Sequence, residues 1–89
     1  MKYIWSCNRI LSVNGHALDD ILDSEDMCVI DALCHSLDLI DAVMIKILKN
    51  HGQIPQNDIV LSLLVEQKAA AQKEIEQDLI HFLPSKYLA

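Results

Sequence analysis

The chain has 89 residues, 52% of them hydrophobic, and a formal net charge of −6. This length corresponds to a single domain. The acidic balance argues against a nucleic-acid surface, which normally needs a basic footprint. No apolar run approaches ~20 residues, so we expect no membrane span. Cys7, Cys28 and Cys34 show no CxxC spacing, and nothing resembles a secretory signal, so we expect a cytoplasmic protein with free thiols.

The N-terminal segment, residues 1–23, is predicted to form short helices. Residues 2–13 place apolar side chains at helical spacing, and Asn14-Gly15 would end that helix. A strand is the alternative for the same residues, because Tyr, Ile and Trp favour sheets. A second short amphipathic helix is expected over residues 17–22.

The central segment, residues 24–52, is predicted to form a long helix. Ser24 is a candidate N-cap, and Gly52 can adopt the left-handed conformation that closes a helix. Its apolar residues recur at alternating spacings of three and four, which is helix periodicity. We expect these residues to form the core and a dimer seam: Ile30, Leu33, Leu37, Ile40, Met44 and Ile47.

This helix is too long for a compact monomer. At ~1.5 Å per residue it would span about 39 Å, whereas a compact domain of this size has a radius of gyration of about 12 Å. The helix is also apolar on most of its circumference, and such a helix must be covered on several sides. We therefore expect a second copy of the chain, or another protein, to cover part of it.

The C-terminal segment, residues 55–83, is predicted to form one helix or a pair of helices. Residues 59–65 could be a buried strand if taken alone, but the strong helix formers in residues 66–74 favour a helix. Leu61 and Leu64 would complete the seam. The expected fold is all-α: a helical hairpin built on the long central helix, forming an intertwined homodimer.

No catalytic, cofactor or metal site is predicted. The histidines are scattered, and neither HExxH nor zinc-ligand spacing occurs. His35 lies within helical reach of Asp31 and Asp38, which suggests either a proton or weak metal site or an exposed polar strip. Cys28 and Cys34 are expected to be buried as small hydrophobic residues.

The region from residue 17 to 45 contains eight acidic residues and no Lys or Arg. Such a surface is either a solvated face or a site for the basic patch of a partner. We expect the partner-facing residues to be Asp19, Asp20, Asp23, Asp31 and Asp38.

Residues 43–64 combine a helix ending in Ile47-Leu48-Lys49, a Gly52 turn, Ile54-Pro55 and the run Ile59-Val60-Leu61-Ser62-Leu63-Leu64. This pattern resembles the YmgB/AriR family of small regulators of biofilm formation and acid resistance. The resemblance implies a helical homodimer without catalysis, which connects stress signals to a two-component phosphorelay. Its partner would then be a sensor kinase or a response regulator.

The leading hypothesis is therefore a regulatory protein that binds other proteins. One alternative is a DNA-binding regulator, which requires Lys46, Lys49, Lys68 and Lys73 to cluster on one face. Another is a small helical secretion chaperone or phage-type inhibitor that masks a helix of its partner.

Overall fold

A computed structural model describes residues 1–51 and 59–88 of the chain. Three strands come first: β1 (Tyr3–Ser6), β2 (Arg9–Val13) and β3 (His16–Ala17). The helices α1 (Leu18–Ile21), α2 (Ser24–His51) and α3 (Ile59–Ile80) follow, and a short 3-10 turn covers Ser85–Tyr87. The all-α prediction is wrong, because the N-terminal segment forms a three-stranded antiparallel sheet in the order β1-β2-β3.

Two tight turns explain why residues 2–17 form strands. Cys7 and Asn8 connect β1 to β2, and both have positive φ, at 49° and 62°. Asn14 and Gly15 connect β2 to β3 with φ of 51° and 83°. Two consecutive positive φ values are typical of a type I′ β-turn, whose twist matches that of the paired strands. Asn-Gly is the strongest sequence signal for this turn. The Asn14-Gly15 pair therefore turns a hairpin here and does not end a helix.

The helix α2 is one unbroken element of 28 residues, as the periodicity predicts. Its N-cap is Asp23 and not Ser24, because Asp23 Oδ1 accepts a hydrogen bond from the Asp26 amide at 2.8 Å. The helix α3 is also continuous over its 22 residues, which resolves the choice between one helix and two for the described part of residues 55–83. The predicted turn at Gly52 and Pro55 lies outside the described residues.

The helices α2 and α3 pack against each other antiparallel, as a helical hairpin. The hydrophobic core lies at the end of this helical hairpin that the sheet covers. Its fully buried side chains come from β2, α1, α2 and α3: Val13, Leu18, Ile30, Cys34, Leu37 and Leu79. The molecule measures 48 × 23 × 18 Å, and its radius of gyration is 15.5 Å, well above the ~12 Å of a compact domain of this length. The ends of α2 and α3 that are remote from the sheet therefore extend beyond the core. Neither α2 nor α3 is apolar enough along its described length to serve as a membrane span.

Candidate functional site

The predicted seam divides into two sets of residues. Ile30 and Leu37 are 1% and 0% exposed, and they belong to the core together with Ile75 and Leu79. The other members are half-buried: Leu33, Ile40, Met44, Ile47, Leu61 and Leu64. The first set thus stabilises the monomer, and only the second set retains surface that another molecule could cover.

The sheet covers only one side of the helical hairpin. Arg9 Nη2 on β2 donates to Asp38 on α2 at 2.9 Å. Trp5 Nε1 on β1 donates to Glu76 on α3 at 2.9 Å. Asp38 and Glu76 therefore mark the sides of their helices that face the sheet.

Large apolar side chains are exposed on the opposite side of the hairpin. We name as the apolar face the residues Val29, Leu39, Val43, Ile59 and Leu63, which are 44%, 57%, 49%, 74% and 58% exposed. Since each helical residue turns by about 100°, Val43 lies about 140° from Asp38, and Leu63 lies about 140° from Glu76. In antiparallel α2 and α3, these directions place both residues on the same side of the hairpin. Val29, about 180° from Asp38, lies there too. Leu39 and Ile59 are each only about 100° from the residue that marks the sheet side of their helix, so they lie at the two edges of this side.

Two of the other exposed apolar residues lie on the sheet side of the long helices. Ile45 and Val65 are 52% and 58% exposed. Ile45 lies only about 20° from Asp38, and Val65 about 20° from Glu76, so both point to the sheet side of the hairpin but farther from the core. They match Val43 and Leu63 in size and exposure while lying on the other side.

A polar cluster connects the β1–β2 turn to both long helices. It consists of Asn8, Arg9, Asp38, Asp41 and Lys68. Asn8 Nδ2 donates to Asp38 Oδ1 at 3.1 Å and to Asp41 Oδ2 at 2.7 Å. Lys68 Nζ donates to Asp41 Oδ1 at 2.8 Å. The Arg9 guanidinium, with Asn8 as a second donor, lowers the pKa of Asp38 to about 2. The Asn8 amide and the Lys68 ammonium also lower the pKa of Asp41.

The five predicted partner-facing acids occupy different environments. Asp19 and Asp20 are exposed on α1. Asp23 is exposed while its carboxylate caps α2. Asp31 is exposed and lies 3.9 Å from Arg9 Nε, and Asp38 is held by Arg9 and Asn8. The surface with the fewest internal contacts is therefore the α1 end.

The polar cluster could not be predicted from the sequence, because its members are far apart in the chain. Arg9 is 29 residues from Asp38 in the chain. With residues 2–13 predicted as a helix, nothing indicated that Arg9 would contact Asp38. The Asn8-Arg9 pair at a hairpin turn was the available signal.

The structure also shows the surroundings of His35, Cys28 and Cys34, whose roles were predicted from the sequence. His35 Nδ1 lies 3.6 Å from Asp38 Oδ2. Within the described parts of the chain, no group of three His, Cys, Asp or Glu side chains could hold a metal ion. Cys34 is buried, which raises the pKa of its thiol, whereas Cys28 is exposed, contrary to our prediction.

The lysines of the DNA-binding alternative are not equivalent. Lys68 is paired with Asp41, while Lys46, Lys49 and Lys73 are exposed. Comparison of the chain with family models, with curated proteins and with solved structures finds no match.

Proposed function

We propose that this chain is a cytoplasmic, non-enzymatic regulatory protein that acts by protein–protein contact and binds a second copy of itself through the apolar face. The observation that supports this proposal is the set of large aliphatic side chains, each about half exposed or more, on one side of the hairpin. Large apolar side chains that remain exposed together on one side of a protein are typical of an interaction site.

The free energy available from covering this face is substantial. Full burial of one large aliphatic side chain is worth about 1.5–3 kcal/mol. The five residues of the apolar face are about half exposed, so covering them would contribute on the order of 4–7 kcal/mol per copy. In a dimer the same face is buried twice, which adds to the stability margin of a short chain.

A second surface would meet the protein that the dimer regulates. The exposed carboxylates at the α1 end, Asp19, Asp20 and Asp23, favour a partner with a basic patch. The resemblance of residues 43–64 to the YmgB/AriR family supports a sensor kinase or a response regulator as that partner. In this proposal the chain is a connector that modulates a two-component phosphorelay in biofilm formation and the acid-stress response.

The dimer can be tested with a matched pair of variants. Val43→Asp introduces a charge into the apolar face, and Ile45→Asp introduces the same charge two residues away on the other side of α2. Their exposures of 49% and 52% are nearly equal, so each change should perturb the folded monomer to a similar extent. We expect Val43→Asp to be monomeric by sedimentation equilibrium and Ile45→Asp to remain dimeric, with circular dichroism unchanged in both. Equal behaviour of the two variants would refute the role of the apolar face.

The regulatory role needs its own experiment. The tagged protein is used to capture a purified histidine kinase or response regulator whose surface carries a basic patch, and Asp19→Asn/Asp20→Asn serves as the variant. We expect the variant to dimerise normally and to lose most of the kinase or regulator binding. A variant that binds as well as the natural sequence would remove the acidic end from the proposal.

A further inference from the structure

We infer that the second copy binds antiparallel, with the two α2 helices crossing near Ser36. This inference rests on the proposed dimer and specifies its geometry. Two other arrangements are possible for a symmetric pair of hairpins: a parallel one, and one in which the α2 helices do not meet.

The pattern of residues along the outer side of α2 favours an antiparallel copy. Val29, Ser36 and Val43 are spaced by seven, so they lie along one side of the helix, and all three are exposed. Val29 and Val43 are equally distant from Ser36 along the chain. An antiparallel copy with Ser36 on the two-fold axis therefore places Val29 opposite the partner's Val43, and the reverse contact follows by symmetry.

The charge distribution along α2 favours the same direction. Its first part carries Asp23, Glu25 and Asp26, and α1 adds two more carboxylates immediately before it. Its last part carries Lys46 and Lys49, with no acidic residue between positions 42 and 51. A parallel dimer would bring the acidic ends of the two copies together, whereas an antiparallel dimer brings each acidic end near Lys46 of the other copy. In the antiparallel arrangement the two helix dipoles also point in opposite directions, so their interaction is favourable.

The outer side of the helical hairpin is large enough for a stable dimer interface. A helix of 28 residues is about 42 Å long, and two adjacent helices form a face about 20 Å wide. Such a face offers on the order of 800 Å² per copy, which is what a stable interface of standard size buries. Ala32 and Ser36 are small and exposed at the centre of this face, so the two α2 backbones can approach closely there.

Disulfide cross-linking in the full-length chain can determine the direction of the two helices. The starting variant is Cys7→Ser/Cys28→Ser, which keeps the buried Cys34 and removes the exposed thiols. Val29→Cys and Val43→Cys are then introduced into the same chain. The two positions are about 21 Å apart along one helix, so they cannot form a disulfide within a single copy.

The protein is equilibrated in a glutathione redox buffer, and the cross-linked peptides are identified by mass spectrometry. We expect links between position 29 of one copy and position 43 of the other. Links from 29 to 29 and from 43 to 43, or a dimer that forms no link, would overturn the antiparallel arrangement. Light scattering of the starting variant distinguishes failure of the antiparallel geometry from failure of the proposed function. A monomer would refute the geometry and the proposed dimer together, whereas a dimer with other links would refute only the geometry.

Charge reversal tests the same geometry without cysteines. Lys46→Glu should weaken the dimer about tenfold, since it would face the acidic end of the other copy, and Glu25→Lys in the same chain should restore most of the affinity. Glu25→Lys alone separates the two directions. It should weaken an antiparallel dimer, since the new lysine would face Lys46 of the other copy, whereas it would strengthen a parallel dimer by relieving repulsion between the acidic ends. Stronger binding of Glu25→Lys alone, or a double variant that binds more weakly than Lys46→Glu, would count against the antiparallel arrangement.

Discussion

Arg9 on β2 and Asp38 on α2 form a two-point ion pair, in which Nη1 donates to Oδ1 at 3.3 Å and Nη2 donates to Oδ2 at 2.9 Å. Asn8, the preceding residue, donates to the same carboxylate at 3.1 Å. Paired donation from a planar guanidinium gives geometric specificity as well as attraction. The pair therefore fixes how the β1–β2 hairpin lies on α2 and leaves the other side of that helix uncovered.

The Asp38 carboxyl group should titrate far below its usual range. Its pKa is expected at about 2 instead of 3.8, since Arg9 and Asn8 both hydrogen-bond the charged form. Arg9→Gln should raise this pKa toward 3.8, and carbon-detected NMR titration of the carboxyl group measures both values. An ordinary pKa for Asp38 in the natural sequence would mean that the ion pair does not form.

Stability against urea should fall in acid. The folded-state pKa values of Asp38 and Asp41 are lowered relative to the unfolded chain. Their contribution is therefore present above the unfolded pKa of 3.8 and is lost as the pH falls toward the folded value of about 2 for Asp38. We expect the free energy of unfolding to decrease between about pH 4 and about pH 2. The decrease should be smaller in Asp38→Asn; an equal decrease in both proteins would contradict this assignment.

Neighbouring leucines on α2 should respond very differently to truncation. Leu37 is fully buried and Leu39 is 57% exposed. Leu37→Ala should lower the free energy of unfolding by about 2–5 kcal/mol, because it leaves a cavity in the core. Leu39→Ala should change the stability of the monomer by less than about 0.5 kcal/mol but should weaken the dimer. Urea denaturation at low protein concentration, followed by sedimentation equilibrium, separates the two effects.

The β2–β3 turn should depend on its glycine. Gly15 has φ of +83°, and no atom lies within 4 Å of the position that a Cβ would occupy. Gly15→Ala should therefore cost about 1–2 kcal/mol through backbone strain alone. Gly15→Asn is the control, since Asn tolerates positive φ better and should cost less. Equal stability of the Ala variant and the natural sequence would imply a different turn.

The long helices could be predicted from the sequence, and the sheet could not. The spacing of Ile30, Leu37 and Met44 fits only a helix, because it continues over four turns. The segment of residues 3–13 is too short for its periodicity to distinguish a strand from a helix. Asn14-Gly15 fits both a helix end and a hairpin turn. The decisive contacts of β1 and β2 are with α2 and α3, more than 25 residues away, and local propensity does not encode them.

That α2 carries more apolar surface than one chain covers could be predicted, but the residues that stay exposed could not. The excess of apolar residues around α2 indicates that something must cover it. Which residues remain exposed depends on where the sheet packs, and this depends on Arg9, Asp38 and Glu76. As a result Ile30 and Leu37, expected in the core and the dimer seam, are buried in the core of the monomer, while Val43 and Leu63 provide exposed apolar surface.

The proposal that the apolar face binds a second copy is tested most directly by molar mass. Light scattering over a range of concentrations would compare the natural sequence with Leu63→Asp and Val65→Asp. Leu63 and Val65 are both 58% exposed on α3, and only Leu63 belongs to the apolar face. We expect the natural sequence and Val65→Asp to be dimers of about 20 kDa, twice the 10.0 kDa of one chain. We expect Leu63→Asp to be a monomer of 10.0 kDa. A natural sequence that remains at 10.0 kDa at all concentrations would contradict the proposal that this face binds a second copy.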